Sequence, residues 1–245
     1  MLRHIQRWCV QALRAGLRTL QSTEEHGGSL KVGYTFKNRV VVDEHCVVED
    51  SGDVIEKLKK GFITFKQGDY NQKRELYARL AEGQRPKIMM ITCADSRVCP
   101  TKLHGLEAGE AFIVRNVANM VPPCEGSGEH HGTKAAVQFA VTILEVEYIV
   151  VMGHSSCGGV MALMSQKSES IDFVGNWVRI GLPAKEKTLL VMQGKSLLDQ
   201  CRYCEKEVVN VSLANLLTPQ KFLASRLFPA HFAGCFFSSS MRFNP

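Results

Sequence analysis

The sequence predicts an α/β fold, a mainly parallel β-sheet flanked by helices. Three observations predict it. Short apolar runs at 87–93, 111–117 and 148–154 have strand length, and the first is continuous enough for a strand buried on both faces. Segments of helical periodicity lie between and after these runs, as crossover connections require. Residues with chemistry, finally, gather at the ends of two runs, and open α/β sheets concentrate function at the carboxyl ends of their strands.

The elements follow in order. Residues 1–22, "MLRHIQRWCVQALRAGLRTLQS", hold Arg3, Arg7, Arg14 and Arg18, no acidic residue, and apolar surface from Leu2, Ile5, Trp8 and Leu13. Arg-rich, acid-free and amphipathic is the pattern of an organelle transit peptide. The arginines favour the mitochondrion; the chloroplast, then the cytosol with an ordinary N-terminal helix, are the alternatives. Residues 23–53 read as a linker with one short strand, "RVVV". Residues 54–82 read as two amphipathic helices interrupted near "KQGDY" (66–70), with Gly83 as the stop signal. After Pro86 come the strand "KIMMITC", the strand "AFIVRNV", a helix over 132–146 and the strand "YIVVMGH". A helix opens at "SSCGGVMALM", and further helices are predicted over 172–194 and 198–217. The remainder, 219–245, has three prolines, a serine cluster and no clear period.

Composition excludes several classes. Hydrophobic content of 45% and charged content of 22% are ordinary for a globular chain of 245 residues. No apolar run approaches the roughly 18–20 residues that cross a bilayer. The formal net charge is +6, and removing the four arginines of the first 22 residues leaves 6 − 4 = +2. That remainder has mixed signs and no basic run interleaved with aromatics, so nucleic-acid binding is not indicated. Nine cysteines, an odd number without a secretory signal, disfavour a disulfide framework and favour metal or thiol chemistry.

"MMITCADSRVCP" (89–100) ends a strand in Cys93 and adds Asp95 and Arg97; the third strand ends in His154, with Cys157 three residues on at a helix start. Adjacent strands lie about 5 Å apart, so all three donors can reach one point. Two thiolates and an imidazole suit zinc, and a fourth position left open marks a catalytic site. The helix start favours the Cys157 thiolate, and Gly158 and Gly159 permit close backbone approach. Taken singly, each residue has a plainer reading: a buried Cys is usually a small hydrophobe, and a buried His is usually a satisfied core residue. "GHSSCGG" alone could be an anion-binding turn, though it lacks the P-loop Lys. Together the two strand ends are harder to explain as packing.

At this point the motifs carry a resemblance. "CADSRVCP", "GEAFIVRNVAN" and "GHSSCGG" resemble signatures of the β-class carbonic anhydrases, and "CRYCEKE" with its flanks is similar to the plant members. The likeness covers about 54–218, leaving a divergent tail at 219–245. It implies one zinc per chain, held by Cys93, His154 and Cys157, and reversible hydration of carbon dioxide to bicarbonate and a proton by zinc-bound hydroxide. It implies that Asp95 orients the hydroxide while Arg97 holds Asp95 off the metal, a role that Arg's rigid fork of donors suits. It implies substrate contacts from Gln84, from the apolar walls Phe112 and Val117, and from the Gly158 backbone. Phe139 falls where plant members can place a Tyr that closes the pocket from the partner subunit. Cys201 and Cys204 read as structural; Cys124, His130 and His131 read as part of a solvent-facing loop.

The resemblance also implies a homodimer or larger homo-oligomer, with no nucleic-acid partner. It stops before the family's last strands, which 219–245 do not match. The expectation is therefore a third strand without its outer neighbour, exposing unpaired backbone. Two alternatives follow: a non-catalytic isoform that pairs with full-length subunits, or a hydrolase of a related substrate such as carbonyl sulfide.

Overall fold

The computed structural model describes residues 52–123, 132–165, 173–217 and 231–238. The expected transit segment, the linker with its short strand, and the loop carrying Cys124, His130 and His131 lie outside the described residues. The chain divides into two units, Met1–Glu82 and Gly83–Pro245.

In the first unit, helix α1 (Gly52–Phe65) runs into a π-helical turn (Lys66–Tyr70) and then helix α2 (Arg74–Glu82). The break falls where Gly68 interrupts the apolar period. Asp69 organises it, accepting from Tyr77 Oη at 2.6 Å and pairing with Lys73 Nζ at 2.9 Å. Phe65 meets the Tyr77 ring edge-on at 5.7 Å, and Tyr70 lies 4.9 Å from the same ring.

The second unit is built on a four-stranded sheet in the order β2-β1-β3-β4, every neighbouring pair parallel. The strands are β1 (Ile88–Cys93), β2 (Ala111–Asn116), β3 (Tyr148–His154) and β4 (His231–Phe237). The helices are α3 (Pro100–His104), α4 (Gly132–Thr142), α5 (Gly158–Ser165), α6 (Phe173–Val178), α7 (Leu182–Val191) and α8 (Leu197–Leu217). None of the described helices is long and apolar enough to cross a membrane.

Side-chain alternation along the strands builds two cores. Met89, Ile91, Ile149 and Val151 pack with Val137, Ala140 and Val141 of α4. Met90 and Met152 pack on the other face with Val160 and Leu163 of α5 and Val208 of α8. Each fully buried aliphatic side chain contributes about 1.5–3 kcal/mol. α8 serves both cores because its buried positions recur at helical spacing: Cys201, Cys204, Val208, Ser212 and Leu216, with Glu205 and Val209 beside them. Cys201 and Cys204 are free thiols in this core, and burial raises both, Cys204 to about 11.

The structure corrects one expectation. The third strand has an outer neighbour: the tail supplies β4, in parallel register from Tyr148↔His231 to His154↔Phe237. Phe232 faces one core while Cys235 and Phe237 face the other, so the segment has the period of a strand. Its small residues answer to α8. A Cβ on Gly234 would stand 2.8 Å from Leu213 Cδ1 and 3.0 Å from Val209 Cγ1. The boundary at 218 therefore does not end the sheet domain.

Candidate metal centre

Three strand ends and one turn position the site. At the end of β1, Ala94 N–H donates to Asn116 O at 2.9 Å, and Arg115 of β2 reaches back to the loop. Arg115 Nε donates to Cys93 O at 3.0 Å and Nη2 to Asp95 O at 2.7 Å. At the end of β3, Ser155 N–H donates to Phe237 O of β4 at 2.9 Å. Ser156 then turns the chain with φ 55°, a left-handed conformation that non-glycine residues rarely adopt. Cys157 follows, immediately before α5.

These elements bring Cys93 Sγ, His154 and Cys157 Sγ together, all three residues buried, with the donor atoms within 4.8 Å of one another. The sulfurs are 3.9 Å apart. Zn–S bonds of about 2.3 Å at a tetrahedral angle require a sulfur separation of about 3.8 Å. His154 Nδ1 contacts Ser155 O at 3.0 Å, which turns Nε2 inward. Nε2 is buried and has no hydrogen-bond partner. A buried, unpartnered imidazole nitrogen beside two thiols fits a metal of zinc's ligand preference.

The Cys93 and Cys157 thiols act on each other across their 3.9 Å contact. The hydrogen bond from Cys157 holds Cys93 well below the usual thiol range, assisted by His154 and by the Asp95 and Ala118 backbone. The same contact, together with burial, pushes Cys157 up, although the Val160 and Gly159 N–H groups at the start of α5 oppose it. Burial opposes a charge on His154, but the Cys93 sulfur outweighs it and raises that group. Cys93, His154 and Cys157 would hold a divalent cation such as zinc through two thiolates and one imidazole.

Asp95 stays out of the cluster. Arg97 Nε and Nη2 donate to its two oxygens at 2.9 and 2.7 Å, and the Arg97 N–H donates at 2.9 Å. These contacts hold the Asp95 carboxyl well below the usual carboxylate range. Arg97 Nη2 also donates to Ser156 O at 2.8 Å, so one guanidinium joins the Asp95 loop to the turn bearing Cys157.

With this geometry in view, comparison with known proteins is decisive. Residues 88–231 match the family model described as "Carbonic anhydrase", more than half of the chain. The chain belongs to the carbonic anhydrase family. Two Arabidopsis thaliana proteins are similar: beta carbonic anhydrase 3, 45% identical over 68% of this chain, and beta carbonic anhydrase 5, chloroplastic, 44% identical over 74%. The chain spans 66% and 58% of their lengths. Among solved structures, the β-carbonic anhydrase CcaA superposes with a TM-score of 0.68 and 29% identity, covering 75% of this chain and 83% of that one.

Within this chain the site residues expected from sequence divide into two groups. Val117 and Gly158 lie with the metal cluster: Gly159, next to Gly158, packs so closely on Val117 that a Cβ would stand 2.7 Å from its Cγ1. Trp177 Nε1 fixes this wall by donating to Val117 O at 2.8 Å. Gln84, Phe112 and Phe139 are elsewhere. Gln84 is exposed ahead of Ile88, five strand steps from Cys93, or about 16 Å. Phe112 pairs in register with Met89, near the same far end, and stacks on Phe139 with ring centroids 5.8 Å apart.

Three participants are not marked in the sequence. The first two are Arg115 and Ser156: the strand "AFIVRNV" gives the Arg no distinction, and nothing local marks the left-handed Ser. Glu205 is the third. Its Oε1 accepts the Cys157 N–H at 3.0 Å from within α8, although in sequence it is one charge of the run "CEKE".

Proposed function

We propose that this chain is a zinc-dependent carbonic anhydrase that reversibly hydrates carbon dioxide to bicarbonate and a proton. The observation that carries the reading is the convergence of Cys93, Cys157 and the unpartnered His154 Nε2 on one buried point. Zinc held there supplies the Lewis acidity that makes water a nucleophile near neutral pH. The chain does the rest. Asp95, ionised throughout the neutral range, offers the lone pairs left free by Arg97 to a water O–H and so orients the attacking oxygen. Arg97 keeps Asp95 from swinging in as a further ligand, and its bond to Ser156 O fixes that arrangement to the ligand turn. Val117 supplies an apolar wall suited to carbon dioxide.

The pocket is completed by a second copy of the chain. Gln84, Phe112 and Phe139 sit at the opposite strand ends, and Phe139 is 43% exposed although it stacks on Phe112. A homodimer or larger homo-oligomer that sets this end against the metal end of its partner would bring Gln84 to the substrate. One argument for a non-catalytic isoform, a third strand without its outer neighbour, is removed, because β4 pairs along the whole of β3. An organelle destination follows from the arginine pattern of 1–22 and is supported by the chloroplastic name of one relative; the arginines favour the mitochondrion.

The test is zinc content with stopped-flow carbon dioxide hydration, wild type against Cys157→Ser. Wild-type protein should carry one zinc per chain and outpace the variant. Zinc-loaded wild type that hydrates carbon dioxide no faster than Cys157→Ser would overturn the proposal.

A further inference from the structure

The buried carboxylates of α8 do different things. Glu207 is answered by Lys187 Nζ at 2.8 Å. Glu205, only 4% exposed, instead turns Oε1 to the backbone N–H of Cys157, while Oε2 is buried without a hydrogen-bond partner. A buried carboxylate is costly unless it is well satisfied, and an apolar residue would serve plain packing better at this position.

We infer that Glu205 is a positioning residue for the metal site, holding Cys157 by its main chain so that its sulfur stays aimed at the point shared with Cys93 and His154. The inference rests on the zinc reading above. Its physical ground is the turn from Ser155 to Cys157. That turn contains a non-glycine residue at φ 55°, and such a conformation persists only when its surroundings over-determine it. Three contacts do so. Phe237 O takes the Ser155 N–H, Arg97 takes the Ser156 carbonyl, and Glu205 takes the Cys157 N–H. The first two hold Cys157's neighbours. Glu205 alone of the three grips the ligand residue itself, across 48 residues of sequence. The donor is a neutral amide, so the essential property of residue 205 is an acceptor oxygen at the right reach rather than its charge.

Reach and charge can be separated in the full chain. Glu205→Gln keeps an oxygen at the same distance and removes the charge; Glu205→Asp keeps the charge and withdraws the oxygen by one methylene. Zinc affinity is measured by competition with a chromogenic chelator, and geometry by the thiolate-to-metal absorption bands of the cobalt(II)-loaded protein. Glu205→Gln should stay within about 3-fold of wild type and keep its bands. Glu205→Asp should lose about 10–100-fold in affinity, the range found for groups that orient metal ligands, and its bands should shift. Glu207→Ala, on the same helix, should lower thermal stability while leaving both readouts alone. Wild-type affinity in Glu205→Asp, an equal loss in Glu205→Gln, or an equal loss in Glu207→Ala would each overturn the inference. A second measurement needs no variant: the Cys157 amide of the zinc-free wild type should be protected from hydrogen exchange, and free exchange would refute its bond to Glu205. A wild type that binds neither zinc nor cobalt would remove the zinc reading itself.

Discussion

Ser155 donates its backbone N–H to the carbonyl of Phe237 at 2.9 Å. The bond extends the β3–β4 ladder by one step beyond the register pair His154↔Phe237 and into the turn that carries Cys157. The last strand of the sheet is thereby a direct support of the metal site.

Ending the chain after Ala230 removes β4, bares the backbone of β3 and frees the Ser155 N–H. The expected product elutes as aggregate in size-exclusion chromatography and retains clearly less than one zinc per chain. A monodisperse shortened chain with full zinc content would contradict this.

Gly153 lies against α8 so tightly that a Cβ would stand 2.6 Å from Val209 Cγ2 and 3.3 Å from Phe236 Cδ2. Gly153→Ala over-fills this contact and should destabilise the protein by about 1–3 kcal/mol. Urea denaturation measures it. Val209→Ala in the same chain should restore part of the loss, because it vacates the volume the new methyl needs.

Asp95→Asn removes the carboxylate but leaves the ligand set intact. Zinc content should match wild type while kcat/KM for carbon dioxide hydration falls at least about 100-fold. Loss of zinc alongside activity would show instead that Asp95 supports the fold of the site.

The pair of Lys187 and Glu207 gives a pH-dependent prediction. Burial opposes the Glu207 charge, but Lys187 outweighs it, so the folded carboxyl titrates below its ordinary value. Lys187 is correspondingly raised by Glu207. A depressed carboxylate stabilises the fold above its unfolded pKa of about 4.3, and the contribution disappears as pH falls through the folded value. Lys187→Met should therefore lower stability at pH 7, and only modestly, since the lysine is half exposed and screened by solvent. The difference from wild type should shrink as the pH falls below about 4, in urea titrations at the two pH values.

Much of this site was legible in the sequence because its ligands follow strand signals. Continuous apolar runs marked β1 and β3, and the residues that end them, Cys93 and His154, could be placed at one sheet edge from topology alone. Asp95 and Arg97 were legible for the same reason: the two are close enough in sequence for local geometry to pair them. β4 was not legible. "HFAGCFF" becomes a strand by pairing with β3, and its Gly234 fits the close approach of Val209 and Leu213 of α8; neither contact can be read from the segment, which sits between a proline and a run of serines. Glu205 was hidden similarly, since only the packing of α8 under the turn distinguishes it from Glu207. Gln84, Phe112 and Phe139 were placed in the pocket by resemblance; distance along the strands puts them at its far side within a single chain.

That separation along the strands has a genetic consequence. A subunit defective at Cys157 still carries a sound Gln84 end, and a subunit defective at Gln84 still carries a sound metal end. Where the pocket is shared between copies, two inactive variants mixed during refolding should rescue one another, each lending the half the other lacks.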